Sequence, residues 1–135
     1  MTVLTISGDR QEGKTFLLCE IACRAAASGQ QVLFVAYDFR HVDHLMRLVE
    51  DQGIPDLVYR RARGAQRVKF SSGGTVNFTS YRARGRRGLQ LDTLIFDDFD
   101  EDECGKLETL IADVGSPNDM RVYVAERAVE VWPWA

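Results

Sequence analysis

A chain of 135 residues that is 45% hydrophobic can fill one ordinary core and is too short for two comfortable domains, so a single domain over residues 1–135 is expected. A formal charge of −3 and a pI near 5.4 would by themselves exclude a nucleic-acid partner, but the average hides a segregation: nine cations and no acid lie between Tyr59 and Gly88, then seven acids and no base between Asp92 and Glu103. No run is long enough to span a membrane, the start lacks the basic flank and apolar core of a signal peptide, and Cys19, Cys23 and Cys104 have no second Cys or His pair to complete a zinc site, as in a reduced, cytoplasmic protein.

Residues 2–7, TVLTIS, form a short β-branched run ended by Gly8 and predict a buried strand. A helix follows from Lys14, with Phe16, Leu17 and Ile21 at helical spacing and Gly29 as its stop. Residues 31–37 read as the next strand, and HVDHLMRLVEDQG as an amphipathic helix ending at Gly53. Strand, helix, strand, helix calls for a parallel sheet. RVKF and TVNFTS, joined by SSGG, predict a hairpin or two short edge strands. LDTLIFDD is a continuous apolar strand finishing in carboxylates. EDECGKLETLIADVG predicts one helix, opened by acids that suit the positive end of its dipole. MRVYVAE is the last strand; in VEVWPW, Pro133 stops any strand, and Trp132 and Trp134 read as cover for an edge of the core. The expected fold class is therefore α/β, a mostly parallel central sheet flanked by helices with a β-hairpin insertion.

GDRQEGKT fits G-x-x-x-x-G-K-[ST] with Gly8, Gly13, Lys14 and Thr15, and has the strand before and the helix after that this pattern requires. The glycines let successive backbone N–H groups point at one anion, and the helix N-terminus adds its partial positive charge. Lys14 is placed to reach the β- and γ-phosphates of a nucleoside triphosphate, and Thr15 to offer its hydroxyl to Mg²⁺. A chance Gly-Lys-Thr turn capping a helix is the competing reading, which the context opposes. The chemistry also needs a carboxylate at the end of a neighbouring buried strand. TLIFDD supplies Asp97 at its carboxyl end, where ligands bind in open α/β sheets, and Asp98 stands next to orient the attacking water. Capping the following helix is the alternative role for either acid, and the expected one for Asp100 and Asp102.

The interior of the loop, RQEGKT, resembles the phosphate loop of phage large terminase subunits, the ATPases that drive DNA into a prohead. The likeness continues through QVLFVAYDFRHVDHLMRLVE, similar to the second strand and helix of those proteins, through VKFSSGGTVNFTSYRARGRRGLQLDTLIFDD, similar to their run of strand, Gly turn, strand, Arg-Gly element and acidic strand, and through GSPN with MRVYVAE, which stand where the family has its coupling motif and next strand. It covers most of the chain, and only the loop is specific. The resemblance implies a single P-loop ATPase core whose nucleotide-binding segment takes in Gly8, Asp9, Arg10, Gln11, Glu12, Gly13, Lys14, Thr15 and Phe16, with ATP and Mg²⁺ as ligands, Thr15 and Asp97 on the metal side, and Lys14, Asp98 and Arg10 closest to the reaction. By the same resemblance Arg10 stabilises charge on the γ-phosphate; as a loop residue it can equally be solvent-exposed. The sequence departs from the family in ending its acidic strand in Asp97-Asp98 instead of Asp-Glu, which leaves the water-orienting role with Asp98, moved to Glu101 or Glu103, or lost. It leaves no room after the ATPase core for the nuclease domain of the family, so DNA cleavage is not expected, and several core helices are abbreviated.

The arginine segment, Arg60, Arg61, Arg63, Arg67, Lys69, Arg82, Arg84, Arg86 and Arg87, has three readings: a DNA-backbone contact, a partner for the acidic run within the chain or across a subunit contact in a homo-oligomer or ring, and a solvated face. His41 and His44 are too few to hold a metal, and Cys19 and Cys23 read as small core residues. A Mg²⁺-dependent ATPase acting on DNA is the expected function. The alternatives are a small nucleotide or metabolite kinase, with the arginines as a mobile phosphate lid, and a nucleotide-gated assembly module that has lost turnover. A GTPase is disfavoured because no Asn-Lys-x-Asp follows the acidic strand.

Overall fold

A computed structural model describes residues 2–8, 11–62, 64–82, 90–114 and 120–127. Among them the chain runs β1 (Thr2–Ile6), α1 (Gln11–Ala27), β2 (Gln31–Ala36), α2 (Phe39–Asp51), β3 (Val58–Arg60), β4 (Arg67–Lys69), β5 (Thr75–Ser80), β6 (Thr93–Phe99), α3 (Glu101–Cys104), α4 (Leu107–Val114) and β7 (Arg121–Glu126). The strands form one sheet in the order β1-β7-β6-β2-β5-β4-β3. It is parallel from β1 to β5 and antiparallel across β4 and β3, so the α/β class and the mostly parallel sheet with a hairpin hold.

The interior strands are apolar on both faces because both faces are covered. On β2, Val32, Phe34 and Ala36 join the core under α1 and α2, while Leu33 and Val35 join a second core with Leu94, Phe96, Val122, Val124 and Ile111 of α4. α1 lays small residues, Ala22, Cys23 and Ala26, against the sheet, and α2 contributes Val42, Leu45, Met46 and Val49 at helical spacing. Asp38 caps α2 by accepting from the His41 backbone N–H at 3.0 Å.

Four expectations need correction. β1 is not buried: among the described residues it pairs with β7 alone, and Thr2 to Thr5 are exposed. The buried stripe of α1 is Leu18, Cys19, Ala22, Cys23 and Ala26, which includes the two cysteines read as core, but Phe16 and Leu17 fall outside it and are 47% and 42% exposed. The acidic helix is two helices, broken at Gly105, whose φ of +97° lies in the left-handed region that glycine adopts without strain. The short strand β3 was not anticipated. The hairpin SSGG does turn β4 into β5, with Gly73 at φ +90° donating to the Phe70 carbonyl at 3.0 Å, and the turn docks on the end of α1 through Ser72 Oγ, which donates to the Ala26 carbonyl at 2.7 Å. GSPN and VEVWPW, with Trp132, Pro133 and Trp134, lie outside the described residues.

Candidate functional site

The parallel topology carries the carboxyl ends of β1, β7, β6 and β2 to one edge of the sheet, and the sequence has placed its reactive side chains there. α1 opens inside the glycine-rich motif, at Gln11, so Lys14 and Thr15 sit in its first turns. Lys14 is only 6% exposed; its Nζ donates to the Gly8 carbonyl at 3.0 Å and to the Glu126 carbonyl, at the end of β7, at 2.7 Å. An ammonium has three donors, so two carbonyls leave it one for an anion. The Thr15 hydroxyl stands 2.9 and 3.1 Å from the two oxygens of Asp97, which is 4% exposed. The expected phosphate-loop lysine, its neighbouring hydroxyl and the strand-end acid are therefore brought together, across 82 residues of sequence in the Thr15–Asp97 contact. Asp9 and Arg10 lie outside the described residues, as do the side chains of Gln11 and Glu12. Phe16 faces outward beside the loop.

Asp97 is fixed from several directions. Its Oδ1 accepts the Asp98 backbone N–H at 2.9 Å, and its carbonyl accepts the Tyr81 hydroxyl at 2.6 Å. Burial, with Cys104, Asp97 and Asp98 nearby, pushes the Tyr81 phenol far above its ordinary range, so it acts as a donor and does not ionise. Burial does the same to the Cys19 thiol, reinforced by Cys23 and Asp97, and raises Cys23 to about 11. Neither cysteine is a nucleophile at neutral pH.

At Asp98 the sheet register breaks. Phe96 pairs with Val124 and Phe99 with Glu126, so β6 takes three steps where β7 takes two, a β-bulge whose extra residue carries a left-handed φ of +49° at Asp98. Arg127, the first residue beyond β7, closes the bulge: its backbone N–H donates to the Phe99 carbonyl at 2.8 Å and its Nε to Asp98 Oδ1 at 3.1 Å. The same guanidinium reaches Asp100 at 3.4 Å and Glu103 at 3.1 Å and lies 5.0 Å from the centre of the Tyr37 ring. Tyr37 Oη donates to Glu103 at 3.0 Å. Arg127 and then Tyr37, hydrogen-bonded to it, hold the Glu103 carboxyl below its ordinary range. Burial works against the charge of Arg127, but the bonds to Asp98 and Glu103 outweigh it and raise its pKa.

Sequence reasoning missed Arg127, Tyr37, Tyr81 and the Glu126 carbonyl. A cation immediately after the last buried strand, in a sheet whose neighbouring strand ends in acids, was the one available signal. Among the described cations of the arginine segment, Arg61 pairs with Glu50 and lies over the Tyr59 ring, and Arg82 is near enough to Glu103 to help lower its carboxyl. Arg60 stands directly opposite Arg67, with Lys69 on the same face, and all three are exposed. Arg63, Arg84, Arg86 and Arg87 lie outside the described residues. His41 is tied to Asp38, 2.8 Å from its Nδ1, and His44 is exposed. Among the described residues no group of three or more His, Cys, Asp or Glu side chains is placed to hold a metal, and no helix is long and apolar enough to cross a membrane.

No family model matches the sequence. No curated protein matches it either. Solved structures do match the fold. The large terminase of a thermophilic bacteriophage aligns over 93% of this chain and 32% of its own, with a TM-score of 0.61 and 12% identity. The same protein in complex with ADP aligns with a TM-score of 0.61 and 15% identity over 93% of this chain and 33% of its own, and in complex with ATP-gamma-S with 0.56 and 16% over 92% and 32%. The chain thus shares the fold of a part of that large terminase and spans about a third of its length.

Proposed function

We propose that this chain binds ATP with Mg²⁺ and hydrolyses it, as a single P-loop ATPase unit whose turnover is coupled to moving or remodelling DNA. The observation that carries the reading is the meeting of the Thr15 hydroxyl with both oxygens of the buried Asp97 beside the buried Lys14. Fold likeness to a terminase solved with ADP and with ATP-gamma-S supports the choice of ligand.

The donor set fits Mg²⁺. A hydroxyl and a carboxylate are hard oxygen donors, and Mg²⁺ bound with phosphates uses one or two such protein groups and keeps its waters, so a cage of several acids is not needed. When bound, the ion neutralises charge on the β- and γ-phosphate oxygens. Gly8 and Gly13 shape the loop that binds the phosphates through backbone N–H groups, and Lys14 adds its ammonium, offering the anion the donor that the Gly8 and Glu126 carbonyls leave free. Thr15 and Asp97 hold the metal's side of the site. Asp98 orients a water whose oxygen bonds to the γ-phosphorus as the bond to the bridging oxygen breaks, leaving ADP and inorganic phosphate. Arg10 stabilises charge on the transferring group from the loop. Arg60, Arg67 and Lys69, exposed on one face of the hairpin, take the DNA backbone together with the rest of segment 60–87, and assembly into a homo-oligomeric ring would let neighbouring units act on one duplex.

The test is phosphate release from ATP with Mg²⁺, with and without double-stranded DNA, in the native chain and in Lys14→Ala. DNA-stimulated release that falls by about 100- to 1,000-fold in Lys14→Ala, the loss typical of one charge-stabilising donor, is the expected result. Release unaffected by the substitution would sink the assignment. ATP binding that depends on Lys14, with no release in either condition, would instead make the chain a nucleotide-gated assembly module.

A further inference from the structure

The bulge at Asp98 needs a cause. A non-glycine residue at φ +49° is strained, and a partly exposed aspartate with nothing to hold it would relax toward ordinary strand geometry. The backbone N–H of Asp98 is held by Asp97 Oδ1, and its carboxylate is held, among the described side chains, by Arg127, at one oxygen, Oδ1, which leaves Oδ2 to accept from a water. Arg127 is itself held at both ends, by the Phe99 carbonyl at its backbone and by Asp100, Glu103 and the Tyr37 ring at its guanidinium. Tyr37 closes the set by donating to Glu103, so the ends of β2, β6 and β7 and the short α3 all bear on one guanidinium. The preceding carbonyl, Glu126, receives Lys14. Residues 126 and 127 therefore touch both the phosphate-loop lysine and the acid next to Asp97.

We propose that Arg127 is a positioning residue for ATP hydrolysis: by closing the bulge in β6 it sets where the Asp98 carboxylate stands relative to Asp97 and the phosphate loop, and so where the attacking water is held. This rests on the hydrolytic reading above. Arg127 touches neither nucleotide nor metal in this role; it acts through Asp98. Without it, Asp98, Asp100 and Glu103 would be three neighbouring carboxylates with no other described cation paired to them, and Asp98 would turn away.

The experiment compares the native chain with Arg127→Gln, Arg127→Lys, Asp98→Asn and the Asp98→Asn/Arg127→Gln double variant, by steady-state phosphate release, by ATP binding and by backbone amide exchange at Asp98 and Phe99. For Arg127→Gln, kcat should fall by about 10- to 100-fold, the loss expected when a reacting group is displaced by about an ångström. KM and Kd for ATP should stay within about twofold, since ground-state binding is untouched. The Asp98 amide, which donates to Asp97, should exchange faster. Arg127→Lys should recover part of kcat, and the double variant should be no slower than Asp98→Asn, because both substitutions remove one function. An unchanged kcat in Arg127→Gln, an equal loss of ATP affinity, or a double variant slower than Asp98→Asn would overturn the proposal. If the native chain releases no phosphate, the hydrolytic reading fails separately; faster exchange confined to Asp98 and Phe99 in Arg127→Gln would then still support control of Asp98 by Arg127, and unchanged exchange would refute it.

Discussion

Asp97→Asn should leave the protein folded, at least as stable as the native chain, and nearly silent toward ATP. Keeping an ionised carboxylate at 4% exposure costs free energy that an amide of the same shape does not. The amide oxygen would still accept the Asp98 backbone N–H, now bonded to Oδ1 at 2.9 Å, and the Thr15 hydroxyl, 2.9 Å from the Oδ2 position, can turn to accept from the amide NH2 that would stand there. The fold should therefore survive loss of the charge while a bound cation should not, an exchange of stability for function common at active sites. Losing the carboxylate should cut Mg²⁺ affinity by about 10- to 100-fold, the range seen when groups supporting a metal are changed, and phosphate release with it. Thermal unfolding beside a Mg²⁺ titration of phosphate release checks both halves. A variant that keeps native Mg²⁺-dependent turnover would remove Asp97 from the metal's side of the site.

Gly74→Ala should be the most damaging small substitution in the fold. A Cβ at residue 74 would stand 2.0 Å from the Ala26 carbonyl oxygen, 2.7 Å from its carbon and 2.9 Å from its Cα. All three are backbone atoms of the last turn of α1, which cannot rotate aside. Either the helix end or the hairpin turn must withdraw, although Ser72 Oγ ties the turn to the helix end and the Phe70 N–H, bonded to the Gly74 carbonyl at 2.9 Å, closes the turn itself. Overpacking costs about 1–3 kcal/mol when side chains can yield and more when they cannot. A loss of about 3 kcal/mol lowers Tm by on the order of 10 °C in a domain this size. The neighbouring Gly73→Ala separates close approach from backbone strain: Gly73 has open space around its Cβ position and φ +90°, so it should lose only about 1–2 kcal/mol. Equal losses from the two would refute the close-packing account.

What the sequence disclosed, and what it hid, divide by range. The alternation of apolar strands and amphipathic helices was legible because β2, β6 and β7 are covered on both faces and α2 on one, so local pattern and burial agree. Lys14, Thr15 and Asp97 were legible because phosphate chemistry demands a fixed local spacing for the first two and a strand end for the third. The exposure of β1 depends on which strands lie beside it, a property of the sheet order that the run TVLTI does not carry. On α1, Cys19 and Cys23 were legible as small core residues, whereas the exposure of Phe16 and Leu17 was not, because helical spacing alone leaves open which face meets the sheet. β3, three residues long, is too short for any periodicity to mark. Arg127 meets Asp98 only through the register of β6 on β7, across 29 residues, and no spacing rule encodes a bulge.

The place of β1 at the rim of the sheet bears on local stability. Among the described strands its backbone is bonded to β7 on one side, whereas β7, β6, β2 and β5 are bonded on both, so β1 is the strand of the parallel part of the sheet that costs least to peel away while its neighbours stay closed. It is also the strand from which the glycine-rich loop springs, and the tether of that loop is Lys14, gripping Gly8 at one end and Glu126 of β7 at the other. A ligand that grips the loop adds its binding free energy to this seam. Occupancy of the site and the integrity of that seam are thus thermodynamically one quantity, and the strand would fray when the loop empties and tighten when it fills.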